Sequence, residues 1–140
     1  MVFKRLIFKN MDLLRDLNVN HIGIVVPIDT KDKIEKSSGN SFIKDDIQGV
    51  SVCFVWDEDM KIYREFITRE GRAKNYHLGY NHICFDVPSS EDMNLLHRNI
   101  IQSKIGIRLT LPEPSPTQQC NIVTFYKLTG LGILEFNIMK

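Results

Sequence analysis

The 140-residue chain is long enough for one domain with an apolar core and too short for two ordinary domains. Hydrophobic residues make up 43% of it and charged residues 25%, which excludes a chain that is disordered throughout. The net charge of +1 gives no indication of nucleic-acid binding. No apolar run approaches the ~20 residues that cross a bilayer, so no membrane span is predicted.

The predicted elements begin after an N-terminal extension, residues 1–19, in which Met11–Leu17 is a candidate short helix. A helix is also predicted over Thr30–Lys36, and a longer one follows Ser89 or Ser90 as N-cap, where Met93, Leu96 and Ile100 recur at helical spacing. Runs rich in β-branched and aromatic residues predict strands at His21–Val26, Val50–Trp56, Lys61–Thr68, Tyr80–Val87, Arg108–Leu111, Asn121–Lys127 and Gly132–Ile138. Pro112–Pro116 is predicted to be a loop with no strand or helix.

The chain contains an internal repeat. Residues 20–27 and 81–88 share Asn, His, Ile, Val and Pro at matching places, and Glu65-Phe66 is echoed by Glu135-Phe136. Each half has a strand with a histidine, a connection, a plain strand and a strand with a glutamate. The repeat predicts two similar modules, about residues 20–70 and 80–140, that share one core.

The strand pattern predicts where the repeated histidines and glutamates point. Side chains alternate between the two faces of a strand, so His21 shares a face with Gly23, opposite an apolar face that suits packing. A glutamate in the middle of a buried strand is costly unless it is paired or bound to a metal. If the modules pack about a pseudo-two-fold axis, four side chains can converge on one point: His21, Glu65, His82 and Glu135.

These four residues, on paired modules, resemble the vicinal-oxygen-chelate superfamily, which includes glyoxalase I and methylmalonyl-CoA epimerase. Residues 48–54 and 82–87 are most similar to the epimerase branch. Over residues 20–140 the resemblance implies an α+β fold in which two βαβββ modules form incurved mixed sheets around a shared cavity. It also implies a divalent metal bound by all four residues.

The sequence departs from the family pattern at three places, one of which, the segment from Glu65 to His82, would help to build the substrate pocket. The first connection lacks the family's aromatic–x3–Leu-Gly helix end, and the segment from Glu65 to His82 is short. Val52 stands where some epimerase relatives carry an acidic base. The resemblance therefore identifies metal ligands and leaves the substrate-binding residues unknown.

Two imidazoles and two carboxylates suit Zn, Ni, Co, Mn or Fe(II) with coordination positions left for substrate. The resemblance implies an isomerase, epimerase or lyase that abstracts a proton next to a carbonyl through a metal-stabilised enolate. Glu135 is then the expected catalytic base, and Glu65 is the alternative. We expect a small-molecule substrate such as an acyl thioester, and a homodimer. A non-catalytic small-molecule binding or resistance protein of the same fold is the alternative.

The other histidines and cysteines are not predicted to be catalytic. His97 is predicted to lie on the exposed side of its helix, and His77 is a weaker candidate for the mouth of a cavity. Cys53 and Cys84 are expected to be apolar strand residues. An odd number of widely spaced cysteines argues against a disulfide framework, so we expect a cytoplasmic protein.

Overall fold

The computed structural model of the protein describes residues 13–139, in which strands alternate with two α-helices. The strands are β1 (Asn18–Val26), β2 (Ile43–Asp45), β3 (Val50–Asp57), β4 (Ile62–Thr68), β5 (Gly79–Val87), β6 (Gly106–Arg108), β7 (Glu113–Pro114), β8 (Ile122–Leu128) and β9 (Gly132–Ile138). The helices are α1 (Lys31–Ser38) and α2 (Ser90–Gln102). No helix within residues 13–139 is long and apolar enough to cross a membrane.

One compact unit consists of residues 20–83 and 115–120, with the strand order β2-β3-β4-β1-β5. β1 runs parallel to β4, whereas β3 is antiparallel to both β2 and β4. The register sets Gly23 beside Glu65 and His21 beside Tyr63. Paired residues share a face of a sheet, so His21 and Glu65 lie on the same face.

The β3–β4 hairpin holds Glu65 in this register. At its turn the Oδ1 atom of Asp57 accepts hydrogen bonds from the backbone N–H groups of Asp59 and Met60, each at 3.0 Å. Asp57 also forms an ion pair with Arg64, and these contacts hold the pKa of its carboxyl below the usual range. An apolar cluster of Val50, Val52, Ile67 and Ala73 then packs beyond Glu65 along the hairpin.

The other unit includes residues 84–114 and 121–139, with the strand order β5-β9-β8-β6 and with β7 also paired to β8. The side-chain oxygen of Ser89 accepts a hydrogen bond from the N–H of Asp92 and caps α2, as the sequence predicts. α2 buries Met93, Leu96 and Ile100. Phe136 on β9 is fully buried among aromatic side chains in this unit.

The sequence predictions of α2 and of six strands are confirmed, and those around residues 108–116 are wrong. The strand predicted over Arg108–Leu111 is β6, which ends at Arg108. Beyond it, the carbonyl of Phe125 accepts from Leu109, and the hydroxyl of Thr110 accepts from the N–H of Phe125. This side-chain contact replaces a ladder bond and ends the strand.

Two short strands were not predicted. β2 has three residues, too few for a sequence pattern. β7 lies within the predicted loop Pro112–Pro116 and pairs with β8. Proline has no backbone N–H, so it is tolerated in an edge strand at a position whose N–H would not bond to the neighbouring strand. The predicted helix over Met11–Leu17 begins outside the described residues. Within the described part of that range, residues 13 and 14 are helical.

Candidate metal centre

His21, Glu65 and His82, all in the unit of residues 20–83, bring their polar atoms together. The Oε1 atom of Glu65 lies 3.5 Å from Nε2 of His21 and 3.5 Å from Nε2 of His82. The two Nε2 atoms are 3.4 Å apart. The three residues are only 0%, 5% and 2% exposed, in chain order. They form a buried group of two imidazole nitrogens and one carboxylate oxygen.

Gly23 makes room for this arrangement. The imidazole of His82 lies directly over the Cα of Gly23, so that a Cβ there would come within 2.2 Å of the Cε1 atom of His82. Any side chain at residue 23 would therefore displace the ring. The sequence showed Gly23 on the face of His21, but the contact with His82 cannot be inferred from alternation alone.

Phe54, on β3, lies beside the cluster of His21, Glu65 and His82. Its ring lies edge-on to the His21 ring, with the centroids 5.2 Å apart, and the His21 and His82 rings are edge-on at 5.4 Å. Phe54 is opposite Glu65 in the β3–β4 register. An apolar ring at this place keeps the local dielectric constant low and strengthens electrostatic interactions inside the group.

The donor atoms fit a divalent metal ion. Ligand bonds of about 2.0–2.2 Å around one ion place neighbouring donor atoms roughly 3–3.5 Å apart. The three distances between the donors of His21, Glu65 and His82 lie between 3.4 and 3.5 Å. Nitrogen and carboxylate oxygen together suit Zn, Ni, Co, Mn or Fe(II). These residues could therefore hold the cation that the sequence predicts.

Glu135 lies on β9 in the other unit and is also buried, with only 2% of its surface exposed. Its register partner on β8 is Phe125, just as Glu65 on β4 has Phe54 opposite. Each glutamate thus has a phenylalanine as its partner on the neighbouring antiparallel strand. A carboxylate at this depth must be compensated by hydrogen-bond donors or by positive charge.

No family model and no curated protein matches the sequence. Solved structures do match. Methylmalonyl-CoA epimerase from Mycobacterium tuberculosis is similar with a TM-score of 0.63 at 12% identity, covering 87% of each chain. A variant of the Streptomyces coelicolor epimerase in complex with 2-nitronate-propionyl-CoA has a TM-score of 0.59 at 17% identity, covering 86% of this chain and 92% of that one. A catechol 2,3-dioxygenase has a TM-score of 0.59 at 13% identity, covering 88% of this chain and 40% of that one. The chain has the α+β fold that these structures share, as the resemblance to the vicinal-oxygen-chelate superfamily implies.

The remaining candidate residues are exposed or lie in the apolar core. Val52, which the resemblance sets at the position of an acidic base, is 3% exposed and packs in the apolar cluster of the hairpin. His77 is exposed in the connection after β4. Cys53 and Cys84 are buried free cysteines, and burial raises the pKa of the Cys53 thiol, as expected for a residue that is not a nucleophile.

The prediction for His97 is wrong. Its Nδ1 atom lies 2.6 Å from the hydroxyl of Tyr126, which also accepts a hydrogen bond from Nε of Arg108 at 3.0 Å. Burial, followed by the charge of Arg108, lowers the pKa of His97. His97 is therefore a half-buried link between α2 and the sheet, and its partner is 29 residues away in the chain, beyond the reach of helical periodicity.

Proposed function

We propose that this chain is a metal-dependent isomerase, epimerase or lyase that moves a proton on the carbon next to a carbonyl group. The observation that carries the proposal is the buried group of His21, Glu65 and His82, whose donor atoms are spaced for one divalent ion. The similarity of the fold to methylmalonyl-CoA epimerases supports the same reaction class.

Glu135 is the proposed fourth ligand. The sequence repeat makes it the counterpart of Glu65, and it is a buried carboxylate in the equivalent strand of the other unit. When bound, a divalent cation would supply Lewis-acid polarisation of the substrate carbonyl. The protein's own contribution is to hold the four donors in a buried place and to exclude water from them.

Glu135 is also the proposed catalytic base, with Glu65 as the alternative. The carboxylate would accept the proton from the substrate carbon and leave an enolate, which is then protonated on the opposite face in an epimerase or at a neighbouring carbon in an isomerase. Glu65 is the weaker choice because its Oε1 atom already faces both imidazoles, at 3.5 Å from each. One carboxylate would then orient the histidines while the other moves the proton.

An acyl thioester is the proposed substrate class. Structural neighbours include an epimerase in complex with methylmalonyl-CoA and others in complex with 2-nitronate-propionyl-CoA. A thioester also has the carbonyl that acidifies the neighbouring carbon, as the proposed chemistry requires. A binding protein of the same fold, without chemistry, is the competing function.

Exchange of substrate hydrogen with solvent tests the proposal. Metal-reconstituted protein is incubated in D2O with methylmalonyl-CoA and a panel of other acyl-CoA thioesters, and deuterium at the carbon next to the carbonyl is measured. Glu135→Gln should lower the exchange rate by about 10²–10⁴ while preserving the fold, and the exposed Glu91→Gln should exchange like wild type. Wild-type-like exchange in Glu135→Gln would assign the base elsewhere. Binding of a thioester without exchange in wild type would favour the binding protein.

We further propose a homodimer in a reducing, cytoplasmic setting. The side chains of Ile107, Leu109 and Leu111 are 60%, 45% and 75% exposed, which supports an apolar contact with a partner. The three cysteines Cys53, Cys84 and Cys120 are all free. Sedimentation at micromolar concentration should give the mass of two chains, and a stable monomer would contradict the dimer.

A further inference from the structure

Each imidazole of the candidate metal centre has an asparagine directly before it in the chain. The Nδ1 atom of His21 lies 2.7 Å from Oδ1 of Asn20, and that of His82 lies 2.8 Å from Oδ1 of Asn81. Both asparagines are half-buried, and the Asn-His pair belongs to the sequence repeat. The two histidines therefore have the same contact at the ring nitrogen that is not turned toward Glu65.

The distances indicate which ring nitrogen carries the proton. Hydrogen bonds from N–H to oxygen are about 2.7–3.2 Å long, and the contacts of Nδ1 with asparagine lie within that range. The contacts of the two Nε2 atoms with Glu65, at 3.5 Å, are longer. A neutral imidazole has one N–H group. The side-chain oxygen of asparagine can only accept, so a hydrogen bond of this length to Oδ1 requires the proton on Nδ1.

The spacing of the two rings supports the same assignment. Their Nε2 atoms are 3.4 Å apart, and protons on both would point two N–H groups into the same small space. With the protons on Nδ1, both Nε2 lone pairs are directed to the place where the carboxylate of Glu65 lies. Lone pairs from two nitrogens beside a carboxylate are the arrangement that a divalent cation requires.

We propose that Asn20 and Asn81 are positioning residues, which hold His21 and His82 as Nδ1–H tautomers with both Nε2 atoms ready to bind metal. The role in metal binding rests on the proposed function. The tautomers themselves are a property of the metal-free protein. Partners of this kind set the ring orientation and raise the basicity of a ligand, and their loss costs about 10–100-fold in metal affinity.

Matched variants distinguish the effect of the hydrogen-bond acceptor from the effect of side-chain volume. Asn20→Leu and Asn81→Leu keep the approximate volume and remove the acceptor, whereas Asn20→Asp and Asn81→Asp retain an acceptor oxygen at the same place. Asn94→Leu, at an exposed position of α2, is the control for replacing an asparagine with an apolar residue.

Two readouts are combined. Nitrogen NMR of metal-free protein with 15N-labelled histidine reports the tautomer of each ring, and competition with a chelating dye gives the Zn²⁺ dissociation constant. We expect Nδ1–H at both rings of wild type and of the Asp variants. Each Leu variant should lose that tautomer preference at its own histidine and bind Zn²⁺ about 10–100-fold more weakly. Asn94→Leu should behave as wild type.

The outcomes distinguish this inference from the proposed function. Nε2–H tautomers in wild type, or Leu variants with unchanged tautomers and Zn²⁺ affinity, would overturn the positioning role even if the protein is an active enzyme. If wild type binds no Zn²⁺, the proposed function fails, and the tautomers of the metal-free protein still decide the inference. Should a Leu variant not fold, the wild-type tautomers remain decisive.

Discussion

At the scale of single residues, the geometry of the candidate metal centre depends on a glycine, Gly23. The His82 ring occupies the space that a Cβ on Gly23 would fill, at 2.2 Å from that position. The backbone conformation of β1 would accept alanine, since Gly23 has no positive φ. The requirement for glycine therefore comes from the close approach of the ring and not from the backbone.

Gly23→Ala should preserve the fold and weaken metal binding. The added methyl group must move the His82 ring, and we expect Zn²⁺ affinity to fall by about 10–100-fold, as when a ligand loses its orientation. Titration of Zn²⁺ with a competing dye measures the loss. Gly39→Ala is the control: Gly39 has φ +74 with nothing within 4 Å of the added Cβ, so this variant should lose stability and retain affinity. Equal affinities in the two variants would contradict the role of Gly23.

His97 is a second residue with a defined physical effect. Its lowered pKa in the folded protein means that the unfolded chain takes up the proton first as the pH falls below about 6.5. The free energy of unfolding should therefore be highest above that pH and decrease as the pH falls toward the pKa of the folded state. His97→Gln should flatten this part of the profile. Urea unfolding of both proteins between pH 5 and pH 8 measures the difference, and parallel profiles would contradict the assignment.

At the scale of secondary-structure elements, the β3–β4 hairpin carries Glu65, and a side-chain hydrogen bond joins its two strands at the end away from the turn. Thr68 is fully buried, and its hydroxyl accepts a hydrogen bond from the N–H of Ser51 at 2.9 Å. The last backbone pair of this ladder is Val52 with Ile67. Thr68 thus satisfies the backbone donor next to the end of the ladder, and the sequence alone shows only a threonine in a strand.

Thr68→Val should destabilise the protein by about 1–3 kcal/mol, because it leaves the buried N–H of Ser51 without its acceptor. Thr68→Ser keeps the hydroxyl and should cost less. Chemical denaturation monitored by the fluorescence of the single tryptophan measures both values. Thr68→Val with the stability of Thr68→Ser would show that the N–H finds another partner.

The elements also show what sequence could predict. The strands that carry His21, Glu65 and His82 were predicted from their runs of β-branched and aromatic residues, and the repeat related His21 to His82 and Glu65 to Glu135. Short strands such as β2 leave no periodic signal. The acceptors Asn20 and Asn81 were visible as repeated letters, but their roles depend on side-chain distances that strand alternation does not contain.

At the scale of the whole molecule, the repeat predicted two similar modules, and the resemblance to the vicinal-oxygen-chelate superfamily predicted the α+β fold, which the similar solved structures confirm. The substrate was not predicted, because the resemblance supplied candidate metal ligands but no substrate-binding residues. Val52 packs in an apolar cluster and has no group that could accept a proton.

The most direct test of the account is the metal content of the protein. Purified wild type is reconstituted with Zn²⁺ or Co²⁺, passed through a desalting column and measured by elemental analysis, beside His21→Ala, Glu65→Gln and His82→Ala. We predict one ion per chain in wild type, a Co²⁺ absorption spectrum typical of nitrogen and oxygen ligands, and substantial loss of both in the variants. A wild type that retains no more metal than the three variants would show that His21, Glu65 and His82 do not form a metal site.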